Sequence, residues 1–344
     1  MTSGEDVARW QRVRALLHAA ADLPEPQRSA FLRAEGGGDE SVVAEVLRLL
    51  AADRVGTGEV RPPDVPGAGA APDVGPGLRL GRYRLSFEIG RGGMGVVHEA
   101  EEEGTGRLVA VKVVRPHLAA LPSVRERFLR EARVGLSLKH ENVVRTIDVG
   151  ETTVAGRPVP WLVMERVLGR TLREVLATSG AVDEPLVREI GRQAARGLAA
   201  VHEAGAVHRD VKPENLVLLS GPRVLLMDLG VAKVDAAGPA LTTAGQFVGS
   251  IRYAAPEQRA GLDIGPPADL WALGAVLAEL VTGEPPDASG STPTLSGRAS
   301  AFLVAVVRQL VAPRPQDRFA SARHLSLVLA DGEDGTWWSL HKGR

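Results

Sequence analysis

Gly90, Gly92 and Gly95, in the run IGRGGMGVV, stand between two strand-like segments. Glycines so placed let the backbone approach a phosphate closely and offer it N–H donors. Alone, the spacing also fits a glycine-rich hairpin turn or a dinucleotide fold. The dinucleotide fold needs a helix directly after the glycines, whereas Val96, Val97 and the residues beyond read as strand. Further on, VAVK sets Lys112 in an apolar strand, where an ammonium group is costly unless paired. An acidic ligand and a helix carboxylate are its natural partners, and Glu131 in RFLREA is the candidate. The second cluster is compact. HRDVKPEN gathers His208, Arg209, Asp210, Lys212 and Asn215 after a helical stretch, and Asp228 comes soon after in DLG. A lone Asp–Lys pair reads as a surface ion pair.

Together with Ala255, Pro256 and Glu257, these segments resemble the protein kinase family over about Gly81 to Ala330. The lysines sharpen the resemblance: the chain has only five, and Lys112 and Lys212 occupy the two family positions. The resemblance implies a role for each residue in phosphoryl transfer. That reaction passes through a loose transition state, so the protein mainly positions groups and neutralises charge. By the same resemblance, Asp210 accepts or orients the proton of the attacking hydroxyl, and Lys212 stabilises the transferred phosphoryl group. Lys112 contacts the phosphates and pairs with Glu131. Asn215 and Asp228 hold Mg2+, with Mn2+ as a substitute. ATP contacts fall to Ile89, Gly90, Gly92, Gly93, Gly95, Val97, Ala110, Lys112, Met164, Glu165, Val167 and Val217. Of these, Val97, Ala110 and Val217 sandwich the adenine, Met164 sits at the back, and the Glu165 to Val167 backbone bonds the base. His208 and Asp269 hold the catalytic loop, and Glu257 with Arg318 forms a buried ion pair.

Lys212 and the segment GSIRYAAPE resemble serine/threonine kinases, in particular bacterial ones, with Ser250 standing where threonine is usual. Arg209 before Asp210 is typical of kinases with a phosphorylated activation loop, which makes Thr242 and Thr243 candidate phosphosites and autophosphorylation an expectation; two solvated loop threonines are the alternative. Three departures stand out. Leucine replaces phenylalanine in DLG. Gly135, one turn after Glu131, weakens the helix and removes a side chain the family packs there. The stretch from Gly283 to Ser300 is short where the family often has a further helix that helps dock protein substrates.

Periodicity supplies the elements around these groups. Tyr83 to Gly90, Val96 to Glu101 and Leu108 to Val114 read as strands. Helices are predicted over Ser123 to Leu138, Glu184 to Glu203, Ala268 to Thr282, Ser300 to Leu310 and Ala320 to Leu329. The expected fold class is α+β: a bilobal kinase fold, with a small β-rich lobe (81–167) and a larger helical lobe (168–331). A C-terminal tail spans 332–344, and its TWWSL packs on the large lobe or on a partner. Ahead lies a helical segment, 1–55, with Val7, Trp10, Val13 and Leu17 at helical spacing. A second helix opens at Asp22, Pro24 and Glu25, and a third runs from about Asp39 to Ala52. The segment is a small bundle or cap, or a docking module for a regulator. Residues 56–80 contain six Gly and five Pro and read as a flexible linker.

Composition bounds the partners. With 344 residues, 41 basic and 42 acidic side chains, the net charge of −1 gives no electrostatic argument for nucleic acid or an anionic membrane. The absence of cysteine removes disulfides, thiolate zinc sites and cysteine nucleophiles. The most apolar run, Leu270 to Val281, contains Glu279 and is too short to span a bilayer. Met1 to Arg12 carries charges of both signs and no apolar core, and so does not read as a secretory signal. A cytoplasmic protein kinase acting on Ser/Thr of protein substrates is the leading expectation. A nucleotide-binding pseudokinase scaffold is the alternative, and it predicts loss of Lys112, Asp210, Asn215 or Asp228, all of which are present. A kinase fold acting on a small molecule is a further rival; GSIRYAAPE argues against it and the short region after Gly283 mildly for it.

Overall fold

The computed structural model describes residues 16, 20, 25–35, 39, 42–43, 46, 74–92, 95–221, 223–228, 251–287 and 289–342. In the N-terminal segment, helix α1 spans Glu25–Glu35 and buries Leu32. Leu16, Ala20, Val42 and Val46 are buried too; the expected contacts of Val7, Trp10, Val13 and Leu17 lie outside the described residues.

Six antiparallel strands form the small lobe in the order β1-β2-β3-β4-β6-β5. They are β1 (Arg79–Leu80), β2 (Tyr83–Arg91), β3 (Gly95–Glu102), β4 (Arg107–Val114), β5 (Thr146–Val154) and β6 (Arg157–Glu165). Alternation along β4 explains its two cores. Val109, Val111 and Val113 join Tyr83, Leu85, Ala100 and Trp161 on one face. On the other, Ala110 and Val114 meet Val124, Phe128 and Ala132. The last three belong to helix α3 (Pro122–Ser137), which comes after the short α2 (Pro116–Ala119) and begins at a proline, a favourable first helical residue. Register shifts on either side of Glu88 interrupt the β2–β3 ladder just before the glycine loop. A Cβ at Gly95 would lie 2.2 Å from the Val113 carbonyl oxygen, so glycine is what lets β3 lie this close to β4. The expected linker ends earlier than residue 80: Val74 and Leu78 pack on this lobe's core and β1 pairs with β2. Gly and Pro content signals turns there, and the apolar residues between them still find a surface to cover.

The large lobe opens with β7 (Arg170–Thr171) and α4 (Leu172–Ser179). Thr171 and Glu174 cap that helix reciprocally, each side chain bonding the other's backbone N–H. Helix α5 (Glu184–Glu203) leads to a small sheet in which β8 (Leu216–Leu218) pairs with both β7 and β9 (Val224–Leu226). After the short α6 (Pro256–Arg259), α7 (Pro266–Thr282) runs through the core, buried from Ala268 to Thr282 and mostly apolar, as an enclosed helix must be. Helices α8 (Ala301–Leu310), α9 (Ala322–Asp331) and α10 (Thr336–His341) complete it. Among the described residues, 283–300 holds no helix. That stretch is tethered instead: Arg252 donates to Pro286 O (3.0 Å) and Arg298 to Thr282 O (3.1 Å). The residues expected to form a tail pack back on the lobe. Trp337 and Trp338 of α10 both meet Phe302 edge-on, at 5.9 and 5.8 Å between ring centres. Among the described residues, no helix is long and apolar enough to cross a membrane.

Candidate active site

The two lobes meet around one cleft. Leu219, Leu225 and Met227 from the β8–β9 region pack with Val97, Ala110, Met164 and Val167 of the small lobe. Backbone bonds stitch the rear, with Val144 N donating to Leu226 O and Leu226 N to Asn142 O, both at 2.9 Å. Across this cleft Lys112 Nζ lies 2.8 Å from Asp228 Oδ1, both side chains partly exposed. The apolar strand delivers the lysine to an acid, as its burial cost demands.

The described acid at this lysine is Asp228. Glu131 sits on α3, and its side chain, with the expected Lys112–Glu131 pair, lies outside the described residues. Gly135, one turn later, lines a small cavity with Ala132, Val144, Thr146, Leu162, Met164, Leu226 and Asp228.

On the large lobe, a short turn (Pro213–Asn215) holds the acidic loop. Lys212 Nζ is 3.1 Å from Asp210 Oδ2. Asn215 Nδ2 donates to Asp210 Oδ2 (3.0 Å) and to Asp210 O (2.8 Å). Asp269, 1% exposed on α7, accepts from the backbone N–H groups of His208 (2.8 Å) and Arg209 (2.7 Å) and from His202 Nε2 (2.8 Å). His208 Nε2 donates to Met227 O (2.8 Å), so its Nδ1 is left to accept from Asp210 N (3.3 Å). Met227 N in turn donates to Asn215 O (2.8 Å), which ties the residue before Asp228 to the loop. Arg209 and Asp228 both have left-handed backbones, φ 62° and 49°. Such conformations cost roughly 1–3 kcal/mol and persist only where neighbours over-determine them.

The remaining positions divide. Gly92 N donates to Gly95 O (2.9 Å), closing the glycine turn, while Gly90 pairs with Val97. Ile89 is 44% exposed at its rim. Ala110 stands opposite Met164, with Glu165 ending β6 before Val167. Val217 is buried in β8. Gly93, Thr242, Thr243 and Ser250 lie outside the described residues. Arg318, fully buried, forms a two-pronged pair with Glu257 (2.6 and 2.8 Å) and donates to the carbonyls of Ala312, Pro267 and Pro313.

One cluster was not among the expected site residues. Arg173 of α4 donates to Glu214 (2.8 Å), Glu279 (2.6 Å) and the Tyr253 hydroxyl (2.6 Å). Tyr253 also donates to Glu279. Burial opposes the guanidinium charge, yet the Glu279 and Glu214 carboxylates win and raise its pKa. Burial, then the Glu279 charge, push the tyrosine up. A signal was available: Glu279 is the one charge within the apolar run from Leu270 to Val281.

The chemistry of the donors fits a magnesium ion. Asp228 and Asn215 offer hard oxygens, and Mg2+ takes one or two protein carboxylates and fills its shell with water and phosphate. No group of three His, Cys, Asp or Glu that could hold a metal occurs among the described residues, so a cage made only of protein is not what this cleft offers.

Comparison with known proteins agrees with this geometry. The protein kinase domain family matches residues 83–325. The probable serine/threonine-protein kinase PknB of Corynebacterium glutamicum is 37% identical over 268 residues, 72% of this chain and 42% of that protein. The serine/threonine-protein kinase PknB of Mycobacterium leprae is 35% identical over 259 residues, 71% of this chain and 42% of that one. The chain therefore spans less than half the length of these curated relatives. Among solved structures, the Mycobacterium tuberculosis PknI kinase domain superposes with a TM-score of 0.62 at 30% identity, over 75% of this chain and 98% of that one. The match runs from the first long strand to the last core helix, and on it the chain belongs to the protein kinase family, alongside bacterial serine/threonine-protein kinases.

Proposed function

We propose that this chain transfers the γ-phosphate of ATP to serine or threonine of protein substrates in a Mg2+-dependent reaction. The observation that carries the reading is the 2.8 Å approach of Lys112 to Asp228 over a loop holding Asp210, Lys212 and Asn215. A cation from one lobe and acids from the other face a shared space, the arrangement a polyphosphate requires.

Asp210 receives or orients the proton of the substrate hydroxyl, a role worth about 10²–10⁴ in rate. Lys212, held beside Asp210, balances charge on the phosphoryl group in transit. Lys112 draws the α- and β-phosphates, and the glycine turn from Gly90 to Gly95 supplies N–H donors. Asp228 and Asn215 hold Mg2+, which when bound neutralises phosphate charge. Val97, Ala110 and Val217 close on the adenine, with Glu165 and Val167 offering backbone groups. The pseudokinase alternative loses support because no polar member of this set is missing. Thr242 and Thr243 are proposed phosphosites whose phosphates pair with Arg209. The kinase domain begins near Val74, ahead of the expected residue 81, and takes in residues to 331; the N-terminal helices dock a regulator, and the setting is cytoplasmic.

The test is direct. With ATP and Mg2+, the purified chain labels itself or a generic protein substrate on serine or threonine. Chelation by EDTA and the Asp210→Asn substitution each remove the label. Equal labelling by Asp210→Asn would overturn the assignment of the base.

A further inference from the structure

Glu99 is an unusual residue for its place. Strand alternation puts it on the same face of β3 as Val97, the face that looks toward the cleft, and it pairs with Ala110. It stands between Val97 and Glu101 on that face, and it is only 7% exposed. A carboxylate so enclosed is strongly disfavoured without a cation. The cation comes from the connector between the lobes: Arg166 Nε contacts Glu99 Oε2 as an ion pair, without the alignment of a hydrogen bond. Arg166 sits between Glu165, the last residue of β6, and Val167, which packs against the cluster holding Ala110 and Met164.

Backbone pairing joins β4 to β6, but none of its pairs bridges β3 to the connector. The Glu99–Arg166 contact does. We propose that Glu99 and Arg166 are positioning residues for the nucleotide, fastening the roof strand that carries Val97 to the segment that carries Glu165 and Val167. The slot for the base is then set before the base arrives, which lowers the ordering cost of binding. This rests on the kinase reading above, and neither side chain is assigned a contact with ATP.

The test measures ATP affinity by fluorescence titration in the Asp210→Asn background, and KM and kcat in the otherwise unaltered chain. Glu99→Gln weakens ATP binding about fivefold, a coupling of ordinary size for two groups in contact. Arg166→Leu weakens it by upward of about tenfold, because it strands a buried carboxylate. The double substitution Glu99→Leu with Arg166→Leu returns affinity to within about twofold of the parent, since an apolar pair restores the fastening without charge. KM for ATP carries the change, while kcat and KM for the protein substrate move less. If Arg166→Leu fails to fold, Glu99→Gln, which keeps the shape of the side chain, decides alone. Equal affinity in every variant, or a double no better than Arg166→Leu, would overturn the role of the pair and leave the kinase reading intact. Failure of the Asp210→Asn parent to bind ATP would overturn both.

Discussion

The two halves of the cleft are built on different terms. In the large lobe the acidic loop is held from several sides: Asp269 takes two backbone N–H groups, His208 reaches Met227, and Asn215 braces Asp210. In the small lobe Lys112 has one ion-pair partner among the described residues, Asp228, and it belongs to the other lobe. The described partners of the loop all lie in its own lobe, and the described partner of the lysine lies across the cleft.

Four measurements put this contrast at risk. The largest effect is on turnover: Asp210→Asn lowers kcat by about 10²–10⁴-fold while ATP still binds, read by phosphate incorporation and by titration. Next is stability. Glu257→Ala strands the buried Arg318 and costs about 3–5 kcal/mol. At about 2–4 °C per kcal/mol, the melting temperature falls by roughly 10 °C.

The third compares the halves directly. Asp269→Ala removes charge-assisted bonds worth about 1.5–3 kcal/mol each and lowers both melting temperature and kcat. Lys112→Met abolishes labelling but shifts the melting temperature by no more than about 2 °C, since a partly exposed pair contributes little to stability. Comparable destabilisation by both would erase the distinction between a braced loop and a partly exposed lysine.

The smallest effect concerns His98, 4% exposed on β3, whose ring nitrogens find no hydrogen-bond partner among the described residues. Burial lowers its pKa below 6.5, partly offset by Glu88. Below 6.5 the unfolded chain therefore binds the proton more readily, and stability falls as the pH drops through that window. His98→Leu flattens the slope of melting temperature between about pH 5 and 6.5, read by calorimetry.

Much of this architecture was legible in the residues. The helix read as Glu184 to Glu203 keeps those bounds, and the one read as Ser123 to Leu138 forms over Pro122–Ser137, because periodicity and end signals coincide there. The loop around Asp210 was legible because its members lie within one short segment. The pairing of Lys112 with Asp228 was not, because it depends on how two lobes approach, and spacing along a chain carries no such information. Glu99 escaped notice for a related reason. In VVHEAEEE it reads as another charge on a half-exposed strand, and only the path of the connector shows that an arginine waits beneath it.

Asp269 has a consequence for the order of events during synthesis. The left-handed turn at Arg209 is stabilised by a carboxylate that lies 60 residues further along the chain. A ribosome-bound polypeptide that has delivered HRDVKPEN but not yet the helix beginning at Pro266 lacks that support. The loop therefore acquires its working shape only after the central helix docks, and a chain truncated before that point carries every signature residue of the loop without the conformation that makes them useful.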